Sequence, residues 1–339
     1  MPVVVSQRSI NHEKADSPNF GKTMISTSSL KMFFLCGLLV SVVLMAACYR
    51  APIAQRSLAP MMDYGQLGYD ALGNHVGAVV VVDPQYGRVL KRVARGMDVQ
   101  FSSSPFEVVQ IVTAYAALDS GAITPQTKFR CNDIADQVDV TEALARPCPG
   151  FFAELSKKVS PVNFKRAAQI IGFTYYGTES VNPLTTAMRP ISAVIPANVA
   201  GADYEALATR GAGMKANDLH FAQLAISLAS NTTTSERMST IITTTSQTIT
   251  PPAIPINKQA MEIIKSGLIK AVNEGATMAA GTVKESVAGK VGSDEENALC
   301  VSFAPANKPE IGLIVFLKEG TSTEAAQVAG RFYRAYFGK

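Results

Sequence analysis

The chain has no tryptophan and only three histidines, His12, His75 and His220, none with a second histidine or a cysteine at ligand spacing. A metal centre built on such clusters is thereby excluded. Phosphate-cradling glycine loops are missing as well. Neither GxxxxGK[ST] nor a GxGxxG between strand and helix occurs, so no cofactor is expected. Charge of one sign is scarce: 31 Lys+Arg against 27 Asp+Glu leave a net +4. No Lys/Arg stripe is interleaved with aromatics, which excludes nucleic acid as a partner. The remaining composition, 47% hydrophobic and 7% aromatic, is that of a globular chain. Its 339 residues suffice for one large domain or two small ones.

One long apolar run is present, and it is informative. Met32 to Ala47, MFFLCGLLVSVVLMAA, is uncharged, preceded by Lys31 and followed by Cys48-Tyr49-Arg50. It is at the short end for a membrane span, which takes about 20 residues. It also ends in small residues, as a secretory signal does. Met45-Ala46-Ala47-Cys48 resembles a bacterial lipobox with Met in place of Leu, which makes Cys48 a candidate lipidation site. A lipoprotein and a single-pass anchor remain open. Both leave the rest of the chain on the extracytoplasmic face of a bacterial membrane. The organisation expected is an N-terminal extension over 1–31, a signal or anchor over 32–48, a tether over 49–74 and one domain over 75–339.

In an oxidising compartment Cys131 and Cys148, which flank a polar loop and helix, are either a disulfide or two buried thiols. Cys300, in an apolar strand, reads as packing. From Gly77, GAVVVVDPQYGRVLKRVARG gives strand, Asp-Pro turn with Gly87, and strand. SSPFEVVQIVTAYAALDSG, Ser103 to Gly121, gives a turn and then a helix apolar on nearly every side, stopped by Gly121. Its head nevertheless carries Glu107 and Gln110, three residues apart on one face. Thr141 to Gln169 is mostly helical, broken at Pro147-Cys148-Pro149-Gly150 and restarted at Ser160-Pro161. Ala216 to Ser230 reads as an amphipathic helix capped at Asn217 or Asp218, and Lys258 to Glu274 as another helix. The Ser/Thr-rich stretch 231–250 is an edge strand or a loop, and its sequon Asn231-Thr232-Thr233 is read as accidental. Strands over Ser286–Val291, Ala298–Phe303 and Gly312–Leu317 and a helix over Thr323–Tyr336 end the chain. The fold class is α+β: an antiparallel sheet from N- and C-terminal strands, flanked by helices, with an inserted all-helical lobe.

Five stretches in order resemble the transpeptidase domain of penicillin-binding proteins, the serine acyltransferases that cross-link peptidoglycan. GAVVVVDPQYGRVL is similar to the opening hairpin and TAYAALDSGAITPQTKFRC to the central helix and its exit. EALARPCPGFFAEL is similar to the helix pair at the second motif. GAGMKANDLHFAQLA and VAGKVGSDEENALCVSFAPANKPEIGLIVFL are similar to the later helix and the closing strands. The resemblance implies three constellations: a Ser with a Lys at i+3, a Ser-x-Asn, and a Lys-Thr-Gly strand lining the oxyanion site.

Aligned this way, the nucleophile position is Glu107 and the base position Gln110. The Ser-x-Asn position is Pro147-Cys148-Pro149, and the third motif is Lys290-Val291-Gly292 followed by Ser293. A carboxylate attacking an acyl donor gives an anhydride, and an amide has no titrating proton to exchange. Neither Ser104, with Glu107 at i+3, nor Ser28-Ser29-Leu30-Lys31, ahead of the anchor, supplies a substitute pair. The resemblance thus implies a degenerate member: a pseudoenzyme of the D,D-transpeptidase class, membrane-tethered, with a scaffolding or partner-binding role in cell-wall machinery. The alternative is a residual binder of, or weak enzyme on, peptidoglycan stem peptides or β-lactams. Because an unpaired buried carboxylate is costly, a Glu107–Lys290 ion pair is expected, with Gln110 hydrogen-bonded beside it.

Overall fold

The computed structural model describes residues 62–132, 136–179, 187–230, 255–282 and 284–338. The apolar run at 32–48 with Cys48, and the Ser/Thr-rich segment with Asn231, lie outside them. Among the described residues no helix is long and apolar enough to cross a membrane.

Five strands form one antiparallel sheet: β1 (Gly77–Asp83), β2 (Arg88–Arg95), β9 (Ala288–Ser293), β10 (Asn297–Ala304) and β11 (Ile311–Lys318), in the order β2-β1-β11-β10-β9. Both ends of the domain thus meet in the sheet, with Gly77 opposite Leu317 and Val82 opposite Gly312. Strand β1 reads GAVVVVD because both of its faces are covered. Ala78, Val80 and Val82 enter the larger core, whereas Val79 and Val81 face a second core closed by Phe332 and Tyr333. Those two aromatics belong to the last helix, α9 (Ser322–Phe337). Its start is fixed by a capping box: Thr321 Oγ1 accepts from Glu324 N–H at 3.2 Å and Glu324 Oε2 accepts from Thr321 N–H at 2.8 Å.

The second core corrects one expectation. The tether expected over 49–74 gives way to the domain before residue 74, with helix α1 at Tyr64–Leu72. Asp63 caps it, and Leu67, Gly68, Ala71 and Leu72 form a four-spaced buried stripe. Gly68 packs so closely that a Cβ there would lie 2.5 Å from Val93. Two glycines in nine residues hid this helix in the sequence, because glycine reads as punctuation while here it permits contact.

Between β2 and β9 lies the mainly helical lobe. It contains α2 (Gln110–Asp119), α3 (Val140–Ala145), α4 (Pro149–Ser156), α5 (Pro161–Ile171), α6 (Gly201–Arg210), α7 (Asp218–Ser230) and α8 (Lys258–Glu274). Short ribbons, β3 (Ser102–Ser103) with β8 (Ala216–Asn217), β4 (Phe129–Arg130) with β5 (Gln137–Val138) and β6 (Thr174–Glu179) with β7 (Ala187–Ser192), are added to the all-helical lobe expected. Ser160 caps α5 with Pro161 at its first turn, and Asn257 caps α8, as their side chains dictate. Cys131 and Cys148 are joined in a disulfide, which ties the end of β4 to the head of α4.

Helix α7 is not amphipathic as expected. It is buried from Asp218 to Ala229 except at Leu219, because it runs between the sheet and the lobe. Its polar groups are paired internally. Asn217 Oδ1 accepts from His220 N–H while His220 Nδ1 accepts from Asn217 N–H, both at 3.1 Å. Gln223 donates to Ser227 at 3.3 Å. Asp218 meets Arg92 of β2 at 2.7 Å, the aspartate side chain being only 4% exposed. Burial pushes the Asp218 carboxyl up, and Arg92 opposes that. Removing one member of such a pair leaves a buried charge without compensation. Arg92→Met is therefore expected to lower the unfolding free energy by about 3 kcal/mol, read from urea melts at pH 7. Arg92→Met/Asp218→Asn should recover part of the loss.

Candidate functional site

Helix α2 is apolar all round and is surrounded on all sides, with every residue from Gln110 to Ala117 buried. It is preceded by one 3-10 turn, Phe106–Val109. Phe106 has φ of +47°, a conformation that costs a non-glycine residue energy. Buried Phe106 is held there by Ser104, whose Oγ accepts from Phe106 N–H at 3.3 Å and donates to Gly211 O at 3.1 Å. The kink brings Glu107 up to the edge strand β9. Gly292 makes the approach possible, since a Cβ at that position would fall 2.6 Å from Glu107 N and 3.0 Å from Glu107 Oε2. The next residue, Ser293, donates its backbone N–H to Glu107 Oε2 at 3.0 Å.

The other polar groups of the site are also held. Gln110 Nε2 donates to Thr209 O at 3.1 Å, and Thr113 Oγ1 donates to Ala208 O at 2.5 Å. Both close carbonyls in the last turn of α6, which its own helix leaves without partners. Lys290, 5% exposed, donates from Nζ to Leu144 O at 3.1 Å. That carbonyl lies in the last turn of α3, where a cation also suits the helix dipole. Burial is the main cause that pulls the Lys290 ammonium down to about 8, and Glu107 partly opposes it.

The ion pair expected between Glu107 and Lys290 is therefore not formed. The two charged groups lie more than 4.0 Å apart, and Glu107 is bound by Ser293 N–H instead. Gly292 lets the strand backbone reach the carboxylate directly, while the α3 carbonyl draws the lysine away. Gln110 likewise turns to α6 rather than to the pair.

Glu107, Gln110, Pro147, Cys148, Pro149, Lys290, Val291 and Ser293 all line one cavity of about 880 Å³, with Gly292 behind its floor. The fold brings these segments together from stretches more than 180 residues apart. The disulfide fixes the far wall. Gly150 N–H donates to Cys131 O at 2.8 Å, and a Cβ at Gly150 would lie 2.3 Å from that oxygen. Sequence reasoning missed Glu205, Thr209 and Arg210 of α6 and Ser322 and Thr323 of α9, which complete the lining. Only the Thr321-x-x-Glu324 capping pattern could have placed a helix end there. Ser322 Oγ donates to Ser293 Oγ at 2.8 Å, so this hydroxyl proton goes to another hydroxyl and not to a base.

The family model of the penicillin-binding protein transpeptidase domain matches residues 77–337, and the chain belongs to that family. Solved structures agree. PBP2 of Pseudomonas aeruginosa in complex with WCK 5153 is similar with a TM-score of 0.62 and 19% identity, over 80% of this chain and 76% of that one. The TP domain of Burkholderia pseudomallei penicillin-binding protein 3 gives 0.60 and 17%, over 80% and 93%. PBPA from Mycobacterium tuberculosis gives 0.58 and 16%, over 80% and 81%. At these identities the likeness is one of fold. No curated protein matches the sequence.

The lowered Lys290 pKa has a signed consequence. The unfolded chain holds this proton up to about its ordinary value of 10.5, whereas the folded chain releases it near 8. Between those values the unfolded state binds more protons, so folding stability rises with pH across that window. The gain is about 3 kcal/mol at 1.36 kcal/mol per unit. Urea melts of the wild type and Lys290→Met should therefore diverge from pH 8 to 10.5 in the wild type's favour. Parallel curves would contradict a buried, charged lysine.

Proposed function

We propose that this member of the family does not transfer acyl groups and acts at the outer face of a bacterial membrane as a binding or scaffolding component of cell-wall machinery. One observation carries the first half. Glu107 takes the place that the family resemblance gives to the nucleophilic serine, and its carboxylate already holds the Ser293 N–H that borders the oxyanion position. Attack by a carboxylate on an amide or ester would give an anhydride, a more activated acyl species than the donor, so its formation is uphill and it does not accumulate. An anion on that N–H also occupies the donor that a tetrahedral intermediate needs. Gln110, at the base position, is a neutral amide bonded to Thr209 O, and no amide serves as a general base near neutral pH. The second half rests on the apolar run at 32–48 and on Cys48 as a lipidation site or as the end of an anchor.

A second reading, binding of peptidoglycan stem peptides, is favoured by the size of the cavity, which is not filled by side chains. Both readings predict that incubation with a fluorescent penicillin leaves no covalent label on the protein. Glu107→Ser alone should stay unlabelled too, because Gln110 still cannot accept the proton. Stoichiometric labelling of the wild type would overturn the non-acylating reading. The mode of attachment is separable: Cys48→Ala abolishes incorporation of radiolabelled palmitate in a lipoprotein. Unchanged membrane association with no palmitate in either form means a single-pass anchor.

A further inference from the structure

The cavity holds two opposite charges that do not neutralise each other. Glu107 accepts one hydrogen bond, on Oε2, and Oε1 has no partner among the described residues. Lys290 donates one hydrogen bond, to Leu144 O, and no carboxylate lies within 4.0 Å of its ammonium. Both line the same space. An ammonium has three donors and a carboxylate about four acceptor sites, so each group retains unused hydrogen-bonding capacity. Lys290, buried in this condition, calls for an opposite partner, and half-buried Glu107 keeps an open acceptor beside it. The other charges of the lining, Glu205 and Arg210, belong to α6, with Arg210 exposed.

A ligand that satisfies both groups has a cation for Glu107 and an anion for Lys290, close to each other. The smallest common chemical unit of that kind is an α-amino acid centre, with ammonium and carboxylate on one carbon. At about 880 Å³ the cavity is several times larger than such a centre, and much of its remaining wall is Ala153, Ala202, Ala206, Ala276 and Val291. We propose that the cavity binds the free α-amino acid end of a longer molecule, its ammonium on Glu107 Oε1, its carboxylate on Lys290 and its stem along the alanine wall. The assignment rests on the non-acylating reading of the site, because it uses Glu107 as a fixed anion. It deepens that reading by naming the ligand class. Replacing a hydroxyl by a carboxylate at the head of α2 converts a place suited to an acyl carbon into one suited to an amine.

The test is calorimetric titration of the full-length protein with three probes: Nε-acetyl-lysine, Nα,Nε-diacetyl-lysine and Nε-acetyl-lysinamide. The second lacks the ammonium and the third lacks the carboxylate. Nε-acetyl-lysine is expected to bind at least tenfold more tightly than either, since each loses one charge-assisted contact. Glu107→Gln keeps an oxygen for Ser293 N–H and should bind Nε-acetyl-lysine and the diacetyl compound alike, while still preferring both to the amide. Should that variant not fold, the three-probe comparison on the wild type stands alone. Equal binding of all three, or none at millimolar concentration, overturns the assignment. Penicillin labelling reports separately. An unlabelled protein without amino-acid binding sinks only this inference, whereas a labelled one sinks the non-acylating reading beneath it.

Discussion

The contact between Glu107 and the backbone of β9 is the constraint on which the site depends. A carboxylate bonded to a backbone N–H is worth about 1.5–3 kcal/mol when shielded from water. Here it joins the head of a buried helix to the edge of the sheet. The contact requires Gly292, which has no Cβ to hold the strand away. Glu107 is preceded by Phe106 at positive φ, at the start of the 3-10 turn that carries both. Two locally unfavourable backbone features are thus offset by one charge-assisted bond and by the packing of Phe106 into the core. The cavity exists because this seam is closed at its floor and the disulfide holds the opposite wall at Cys148.

Much of the fold was legible in the sequence because its signals were local and strong. Ser160-Pro161 before α5 is a cap that acts within one turn, and it placed that helix start correctly. The strand, Asp-Pro turn and strand read from Gly77 placed β1 and β2 as neighbours. What failed depended on neighbours. Helix α7 carries Asp218, His220, Gln223 and Ser227, which read as a solvent face but are paired inside the protein. Helix α1 was hidden by glycines whose use is close contact with β2. Side-chain composition cannot reveal a partner contributed from far along the chain.

The same distinction applies to the site. Motif spacing placed Glu107, Gln110, Pro147–Pro149 and Lys290–Ser293 around one space, since the fold fixes the order of those segments. The bonding within that space was not legible. The family resemblance and the cost of an unpaired carboxylate suggested that Glu107 and Lys290 would meet. The competing donors and acceptors are backbone groups, Ser293 N–H and Leu144 O, which exist at every position and become available only where geometry leaves them unpaired. Helix ends supply several of them: α3 offers its carbonyl to Lys290 and α6 offers two to Gln110 and Thr113. Orphan groups at helix termini therefore determined which polar side chains turned away from the cavity and which kept capacity toward it.

Lys290 shows why this capacity matters. Burial, partly opposed by Glu107, leaves its charged form disfavoured by about 3 kcal/mol on the shift from 10.5 to about 8. Its bond to Leu144 O offsets part of the cost of burying it. The ammonium therefore adds little net stability, and an apolar side chain of similar volume would serve the fold about as well. What the apolar side chain would not supply is a positive charge lining the cavity together with a carboxylate held by its own hydrogen bond. The separation of these charges is held by the backbone on both sides, by Ser293 N–H for one and by the end of α3 for the other. An arrangement fixed in that way does not collapse into an ion pair when the cavity is empty, and it presents both charges to a ligand without first having to break one.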